Sequence, residues 1–238
     1  VECETNDLPF SIDRSAQRAR LFKAEYESYR DELREIAGDD TFNPASPKQV
    51  HAILFGKWKI KSSRRTKLTG DDSWDKKALA VLALQWAPRT DPFSRKVQRF
   101  IFLMQEHRET VKLYGTYVGP DALPRQVKKG RIHAWIKNTM VVSGRLASED
   151  PNLQNIPSRS KRGKLIRSCF VAPHGSTLLE VDYSQIELRV LADVSGDPAL
   201  IEAFMGAEDL HRKTEKYIFG IPDDRAGEKR VAAKTFNF

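Results

Sequence analysis

Three groups of residues in this chain have types and spacings that could do chemistry. Asp182 closes a short apolar run, Leu178, Leu179 and Val181, and is followed by Ile186, Val190, Leu191 and Val194 at helical intervals. The pattern predicts a buried strand that turns into an amphipathic helix, with a carboxylate on the rigid edge between them, facing solvent or substrate. A capping aspartate would produce the same pattern. Arg230, Lys234 and Phe238 recur at every fourth position, so they stack on one helical face. Two cations above an aromatic suit a triphosphate and a base or sugar ring; they equally suit a charged solvent face that ends in a buried phenylalanine. Between Gly56 and Lys67, the side chains of Lys57, Lys59, Lys61, Arg64, Arg65 and Lys67 crowd a short stretch with Trp58 and Ile60. Crowded cations repel one another unless an anion such as phosphate is near, whereas the default for a basic loop is a solvated charge run.

The wording of the chain around these groups carries a resemblance. Ser143–Leu146 reads Ser-Gly-Arg-Leu, Asp150–Pro157 reads Asp-Pro-Asn-Leu-Gln-Asn-Ile-Pro, and Asp182–Arg189 reads Asp-Tyr-Ser-Gln-Ile-Glu-Leu-Arg. Arg230–Phe238 has the form Arg-x-x-x-Lys-x-x-x-Phe. In this order the first two resemble the template-primer contact segment of family A DNA polymerases, the DNA polymerase I type. The third resembles their first catalytic carboxylate motif, and the last the start of their nucleotide-binding helix.

The resemblance implies a template-directed DNA polymerase that adds deoxynucleotides to a primer 3′-hydroxyl by a two-metal mechanism with Mg²⁺. Asp182 would bridge the two ions, and the main-chain carbonyl of Tyr183 would bind the nucleotide-side one. Gln185, Glu187, His211, Arg230, Lys234 and Phe238 would bind the deoxynucleoside triphosphate. Of these, His211, Arg230 and Lys234 would hold phosphates, Phe238 would pack against the sugar, and Glu187 would close the space near C2′ against a ribose hydroxyl. Primer-template DNA would lie against Arg64, Arg65 and Lys67 in the basic loop, Lys112, and Asn138, Thr139, Arg145, Asn152, Gln154 and Asn155. Arg145 would reach minor-groove acceptors that every base pair presents, checking pairing without reading sequence. Lys112–Val118 is similar to the family's Lys-Leu-x-Ser-Thr-Tyr-Val, with Tyr114-Gly115 in place of the usual Lys/Ser pair.

The implied fold class is α+β, with a helical thumb over 1–118, part of an antiparallel-sheet palm over 119–195, and the first helices of the fingers over 196–238. The family's Gly-x-x-Tyr-Gly and His-Asp-Glu motifs do not occur in the sequence, nor does an Asp-x-Glu near its start that would signal a proofreading exonuclease. The expectation is therefore a polymerase segment, or one half of an enzyme encoded in two pieces, that needs a second polypeptide or a C-terminal segment and is inactive alone. Val1 in place of methionine is expected of a chain that begins inside a longer product. Two readings of other classes remain beside this one: a non-catalytic DNA-binding module that keeps the polymerase surface, and a metal nuclease, for which no second carboxylate motif is visible.

The elements that must position these residues are legible in outline. Phe22, Tyr26, Tyr29, Leu33 and Ile36 form one face of a long helix, with Asp13 a candidate N-cap and Gly38 a stop. Ser46-Pro47 opens a second helix in the favoured cap-then-proline order. Trp74, Leu79, Leu82 and Trp86 predict a third, ended by Pro88, and Pro92 a fourth with Val97, Phe100, Met104, His107, Val111 and Tyr114 inward. Arg131–Val142 predicts one or two strands, and Ile166–Val171 another behind a basic cluster of Arg159, Lys161, Arg162, Lys164 and Arg167. Asp197-Pro198 opens a helix with Leu200, Ile201 and Phe204 inward; Asp209 and Asp223 or Asp224 should cap two more. The formal charge of +8, from 40 Lys and Arg against 32 Asp and Glu, fits a polyanionic partner without requiring one. Two distant cysteines, Cys3 and Cys169, point to a reducing, cytoplasmic compartment rather than a disulfide framework, with organellar or viral origin left open. No apolar run is long enough to span a bilayer, so no membrane is expected.

Overall fold

The computed structural model describes residues 7–65, 72–206, 218–220 and 229. The chain forms two compact units, Val1–Leu178 and Leu179–Phe238. The fold is α+β: helices dominate, and the strands are short and antiparallel. Among the described residues no helix is long and apolar enough to cross a membrane.

Two helices form the spine of the first unit, α1 (Ile12–Ala37) and a later antiparallel partner. Ser11, not Asp13, is the N-cap of α1: its hydroxyl accepts from the Arg14 N–H at 3.2 Å, which leaves Asp13 in the first turn, where a negative charge meets the helix dipole. Gly38 ends α1 in the left-handed region at φ 68°, its N–H reaching the Arg34 and Glu35 carbonyls. Lys57 Nζ donates to the Ala37 carbonyl at 2.6 Å and closes the same end. Ser46 and Pro47 start α2 (Pro47–His51) as expected, and the chain runs on through a π-helical turn over Ala52–Lys57. Asp75 caps α3 (Lys76–Trp86) and Asp91 caps α4 (Pro92–Leu113), each accepting a main-chain N–H three residues on.

α4 lies antiparallel along α1, as shown by Glu32 pairing with Arg99 near one end and Tyr26 meeting His107 further along. The inward stripe of α4 departs from the expected one at its end. Thr110 and Leu113 are buried, Val111 is exposed and Tyr114 half-buried. The expected stripe advanced at 3.5 residues per turn, whereas a straight helix turns every 3.6 and drifts off such a repeat. Two cores result. Leu33, Phe42, Val50, Leu54, Leu79, Phe100 and Met104 fill one; Phe10, Phe22, Tyr117, Leu123, Ile132, Ile166 and Cys169 fill the other.

The second core is roofed by a small sheet of β1 (Leu8–Pro9), β2 (Val127–Lys128) and β3 (Arg131–Ile132), in the order β1-β3-β2. Lys129 and Gly130, both at positive φ, make the tight β2–β3 turn. A separate hairpin pairs β4 (Trp135–Lys137) with β5 (Ala147–Glu149), Trp135 opposite Glu149. The expected strand over Ile166–Val171 is not one. Lys161–Arg167 forms a helix, α5, whose N-cap Ser160 accepts from the Gly163 N–H, and only Phe170 makes an isolated bridge, to Phe10. A serine cap followed by Lys-Arg-Gly-Lys-Leu begins a helix before the β-branched residue arrives.

In the second unit the expected strand before Asp182 is also not one. Residues 177–183 form no ladder, and Leu179 and Val181 are 86% and 82% exposed. Strand propensity is expressed only when a neighbour takes the backbone hydrogen bonds, and no described residue does. α6 (Ile186–Ser195) buries Leu188 and Ala192, leaving the anticipated stripe of Ile186, Val190, Leu191 and Val194 exposed. It packs on α7 (Pro198–Met205), capped by Asp197 as expected, which buries Ala203, half-buries Leu200 and Phe204, and exposes Ile201. The helices expected from Asp209 and from Asp223 or Asp224 lie outside the described residues.

Candidate nucleic-acid interface and the Asp182 segment

In the first unit a cleft of about 980 Å³ opens between α4 and the segment that follows the hairpin. Lys112, Arg108, Glu109 and Gln105 come from one wall; Gln154, Asn155, Arg159 and Ser160 come from the other. The structure thus brings together three predicted DNA contacts, Lys112, Gln154 and Asn155. Arg108 and Lys76 join them and were not anticipated. Arg108 was findable: it sits four residues before Lys112 and shares its helical face. Its guanidinium donates to the Trp74 carbonyl, and burial lowers its pKa. Arg108 therefore braces the cleft floor and contributes less to its open charge than Lys112, which is exposed.

The far wall is rigidly built. Leu153–Asn155 form a 3₁₀ turn, and Tyr117 Oη donates to the Asn155 carbonyl at 2.7 Å. Gln154 is engaged at both ends of its amide: Nε2 donates to the Leu146 carbonyl at 2.9 Å, and Oε1 accepts from the Ser148 N–H at 3.1 Å. The Asn152 carboxamide oxygen accepts from Ser148 Oγ at 3.3 Å. These bonds fix the β5 side of the hairpin beside Arg145. Arg145 is exposed and follows a turn in which the Gly144 N–H reaches the Val141 carbonyl and Gly144 takes φ 73°. Asn138 and Thr139 lie exposed on the other side of the same hairpin loop. They and Arg145 do not line the cleft.

Arg64 and Arg65 stand apart, beyond the π-helical turn. Arg64 lies 3.6 Å from Asp75, both about half exposed, and Arg65 bridges Asp72 through the backbone. Asp75 is held below the usual carboxylate range first by the Ala78 N–H and then by Arg64. An exposed pair of this kind is worth roughly 0–1 kcal/mol, so a phosphate could displace it at small cost. The cations of this stretch divide into kinds that sequence alone does not separate: Lys57, Lys59, Arg64 and Arg65 are all exposed, but Lys57 uses its ammonium on the end of α1. Trp58 and Ile60 are packing residues, Trp58 edge-on to Phe100 at 5.0 Å and Ile60 buried.

In the second unit Asp182 and Tyr183 are exposed on an extended stretch. Asp182 is not a helix cap: α6 starts at Ile186 and its N-cap is Gln185, in the left-handed region at φ 54°. Glu187 occupies the first turn of α6, where a carboxylate meets the positive end of the helix. Arg189 Nε donates to the Ser184 carbonyl at 2.9 Å, and its guanidinium lies 4.7 Å from the Phe204 ring centre, tying the turn to α7. Among the described residues no three His, Cys, Asp or Glu side chains converge as a metal cluster. Asp182 and the Tyr183 carbonyl supply hard oxygens of the type Mg²⁺ takes, an ion that keeps several waters and needs only one or two carboxylates. Lys67, His211, Arg230, Lys234 and Phe238 lie outside the described residues.

His107 sits on the α1–α4 seam, as a packing histidine should. It is buried against Tyr26, and desolvation, followed by Arg108 and Arg30, lowers its pKa to about 4.

The model of the family described as DNA polymerase family A matches residues 12–238. DNA polymerase I of Deinococcus radiodurans is 41% identical over 210 residues, 87% of this chain and 20% of that protein. The thermostable DNA polymerase I of Thermus thermophilus is 39% identical over 211 residues, again 87% of this chain and 24% of that protein. The chain thus spans 20% and 24% of the lengths of these two relatives. Among solved structures, the POL domain of Pol1 from M. smegmatis, in complex with DNA primer-template and dNTP, superposes with a TM-score of 0.78 at 31% identity, covering 99% of this chain and 39% of that one.

Proposed function

Because this chain belongs to DNA polymerase family A, we propose that it is the part of a template-directed DNA polymerase that holds primer-template duplex and presents the first metal-binding carboxylate. The observation that carries this reading is the cleft in which Lys112 on α4 faces the braced Gln154–Asn155 segment. A cation on one wall and fixed polar groups on the other suit a duplex held by its backbone and groove edges. In functional terms, 1–118 is the thumb, 119–195 belongs to the palm, and 196–238 begins the fingers. The solved relative with a primer-template and a nucleotide supports the same partners for this chain.

Within that reading, Arg64, Arg65, Lys67 and Lys112 neutralise phosphates and set affinity and register. Arg145, with Asn138, Thr139 and Asn152, follows the minor groove and the backbone at the primer terminus. Asp182 and the Tyr183 carbonyl would hold Mg²⁺. When bound, such an ion would supply Lewis-acid activation of the primer hydroxyl and charge stabilisation at the transferring phosphoryl group. Gln185, His211, Arg230, Lys234 and Phe238 orient the triphosphate and sugar, and Glu187 excludes a 2′-hydroxyl. No His-Asp-Glu motif occurs in these 238 residues, so a second carboxylate segment must complete the site. The isolated chain, given Mg²⁺ and all four deoxynucleotides, does not extend a primer.

Titration of a labelled primer-template at several salt concentrations tests the reading. Binding is salt-sensitive and independent of sequence. Arg64→Ala with Arg65→Ala weakens it across all sequences and flattens the log K against log salt slope by about 0.9 for each phosphate no longer neutralised. An unchanged slope removes the basic loop from the interface, and robust primer extension by the 238-residue chain alone overturns the need for a second carboxylate segment.

A further inference from the structure

Arg162 sits in a cluster of cations that, on sequence, reads as one more phosphate-binding group. The structure places it elsewhere. Its side chain is only 14% exposed. Its Nε donates to Glu25 at 3.0 Å, and its Nη2 donates to Glu106 at 2.8 Å and to Tyr29 Oη at 3.1 Å. Glu25 and Tyr29 belong to α1 and Glu106 to α4, so one guanidinium on α5 grips both spine helices. Burial opposes its charge, but the hydrogen bonds to the two carboxylates outweigh burial and hold its pKa above the ordinary arginine range. The planar fork of arginine suits this role, since it reaches separate acceptors in fixed directions.

What the grip controls is the segment just before it. Ser160 caps α5, and Gly163 lies so close to Pro157 that an added Cβ would stand 2.5 Å from the Pro157 carbonyl oxygen. The first turn of α5 therefore carries Pro157 and the far cleft wall with it. At the other end of that wall, Tyr117 holds the Asn155 carbonyl. Ile166, buried in the second core, anchors the last turn of α5; Leu153 and Ile156 of the wall pack partly buried against the same core, while the first turn of α5 has no apolar side chain there.

We propose that Arg162 is a positioning residue: by pairing with Glu25 and Glu106 it locks residues 153–160 against the spine and so sets the shape of the duplex-binding cleft, without touching DNA. The duplex part of this inference rests on the function proposed above; the locking part does not. Arg162→Met keeps the length of the side chain and removes the fork. In the 238-residue chain, hydrogen exchange in 153–160 then rises while the middle of α4 keeps its protection. Primer-template affinity falls about tenfold, the drop expected when one well-placed interaction no longer holds the wall, and the salt slope stays that of the unmutated chain. Arg162→Lys, which restores the charge but cannot fork between two carboxylates, recovers only part of both readouts. Unchanged exchange in 153–160 overturns the proposal, as does a salt slope flattened by about 0.9, the sign that Arg162 had itself been neutralising a phosphate. If Arg162→Met does not fold, Arg162→Lys and Glu25→Gln are read in the same two assays. Should the unmutated chain fail to bind duplex, the polymerase reading falls, while the exchange measurement still decides the lock.

Discussion

The two units treat the same kind of sequence pattern in opposite ways. In the first, several aromatic and aliphatic residues at helical spacing are drawn fully inside: Phe22, Leu33, Phe100 and Met104 are all 0% exposed, although Tyr26, Tyr29 and Ile36 are half-buried and Val111 is exposed. In the second, Ile186, Val190, Leu191 and Val194 have equally regular spacing and stay exposed, as do Leu179 and Val181 beside Asp182. Apolar periodicity states which residues can share a face, but whether that face is covered depends on what lies opposite. α1 and α4 are long and face each other along their length, so each supplies the other's cover. α6 and α7 are short, and between them they bury only Leu188, Ala192 and Ala203. The surface proposed to hold duplex is thus built on a self-sufficient core, whereas the proposed catalytic carboxylate stands on a stretch with little packing of its own.

Three experiments break or sharpen this contrast. The largest effect belongs to the second unit. In a completed polymerase, Asp182→Ala abolishes primer extension while leaving duplex affinity nearly intact, because a metal-binding carboxylate acts on the transition state and not in docking. Extension near the parental rate would reduce Asp182 to an exposed loop residue, and a parallel collapse of affinity would erase the division of labour between the units.

A pair of truncations tests packing directly. Phe100→Ala in the first core costs about 3–5 kcal/mol in urea unfolding, the range for a large buried aromatic. Leu191→Ala, on the exposed face of α6, changes stability by less than about 0.5 kcal/mol. Equal losses would show that the α6 face is covered in solution.

The smallest effect is a pH dependence of the first unit. His107 is neutral in the folded seam until pH approaches about 4, while an unfolded histidine takes up its proton near 6.5. Above that value both states are neutral and His107 adds no pH dependence. As pH falls from 6.5 towards 4, the unfolded state binds the proton and the folded state does not, so stability drops by at most on the order of 3 kcal/mol. His107→Gln flattens that part of the stability curve; an unchanged curve would mean that the seam protonates without opening.

Legible and illegible features occur in both units, and they divide by how local their cause is. Helix starts are readable because a cap is a local bond: Ser46 before Pro47 and Asp197 before Pro198 sit where their sequences put them. The stop at Gly38 is readable because a left-handed residue there favours glycine. The start of α1 is two residues earlier than Asp13 suggests, since Ser11 and Asp13 are both good caps and only the backbone at Ser11 is extended. Lys161–Arg167 passes for the approach to a strand when Ile166 and Val171 are weighted over the serine cap. Of the proposed DNA-binding residues, Lys112, Gln154 and Asn155 follow from wording alone and do line one cleft. That Gln154 uses its amide on the Leu146 carbonyl and the Ser148 N–H, that Lys57 closes a helix end and that Arg162 grips two carboxylates could not have been read, because each partner lies far away in sequence or in a different element.

By itself the sequence determined the family, through motifs whose residue types and order leave little room for another reading, and the local punctuation of the helices, which depends on neighbours within a turn. The tertiary structure alone decided which cations are free to meet phosphate and which are already engaged, which apolar stripes are covered, and that Asp182 caps no helix. Those outcomes depend on desolvation and pairing across long loops, and a charge or an apolar face has no fixed role until its opposite surface is in place.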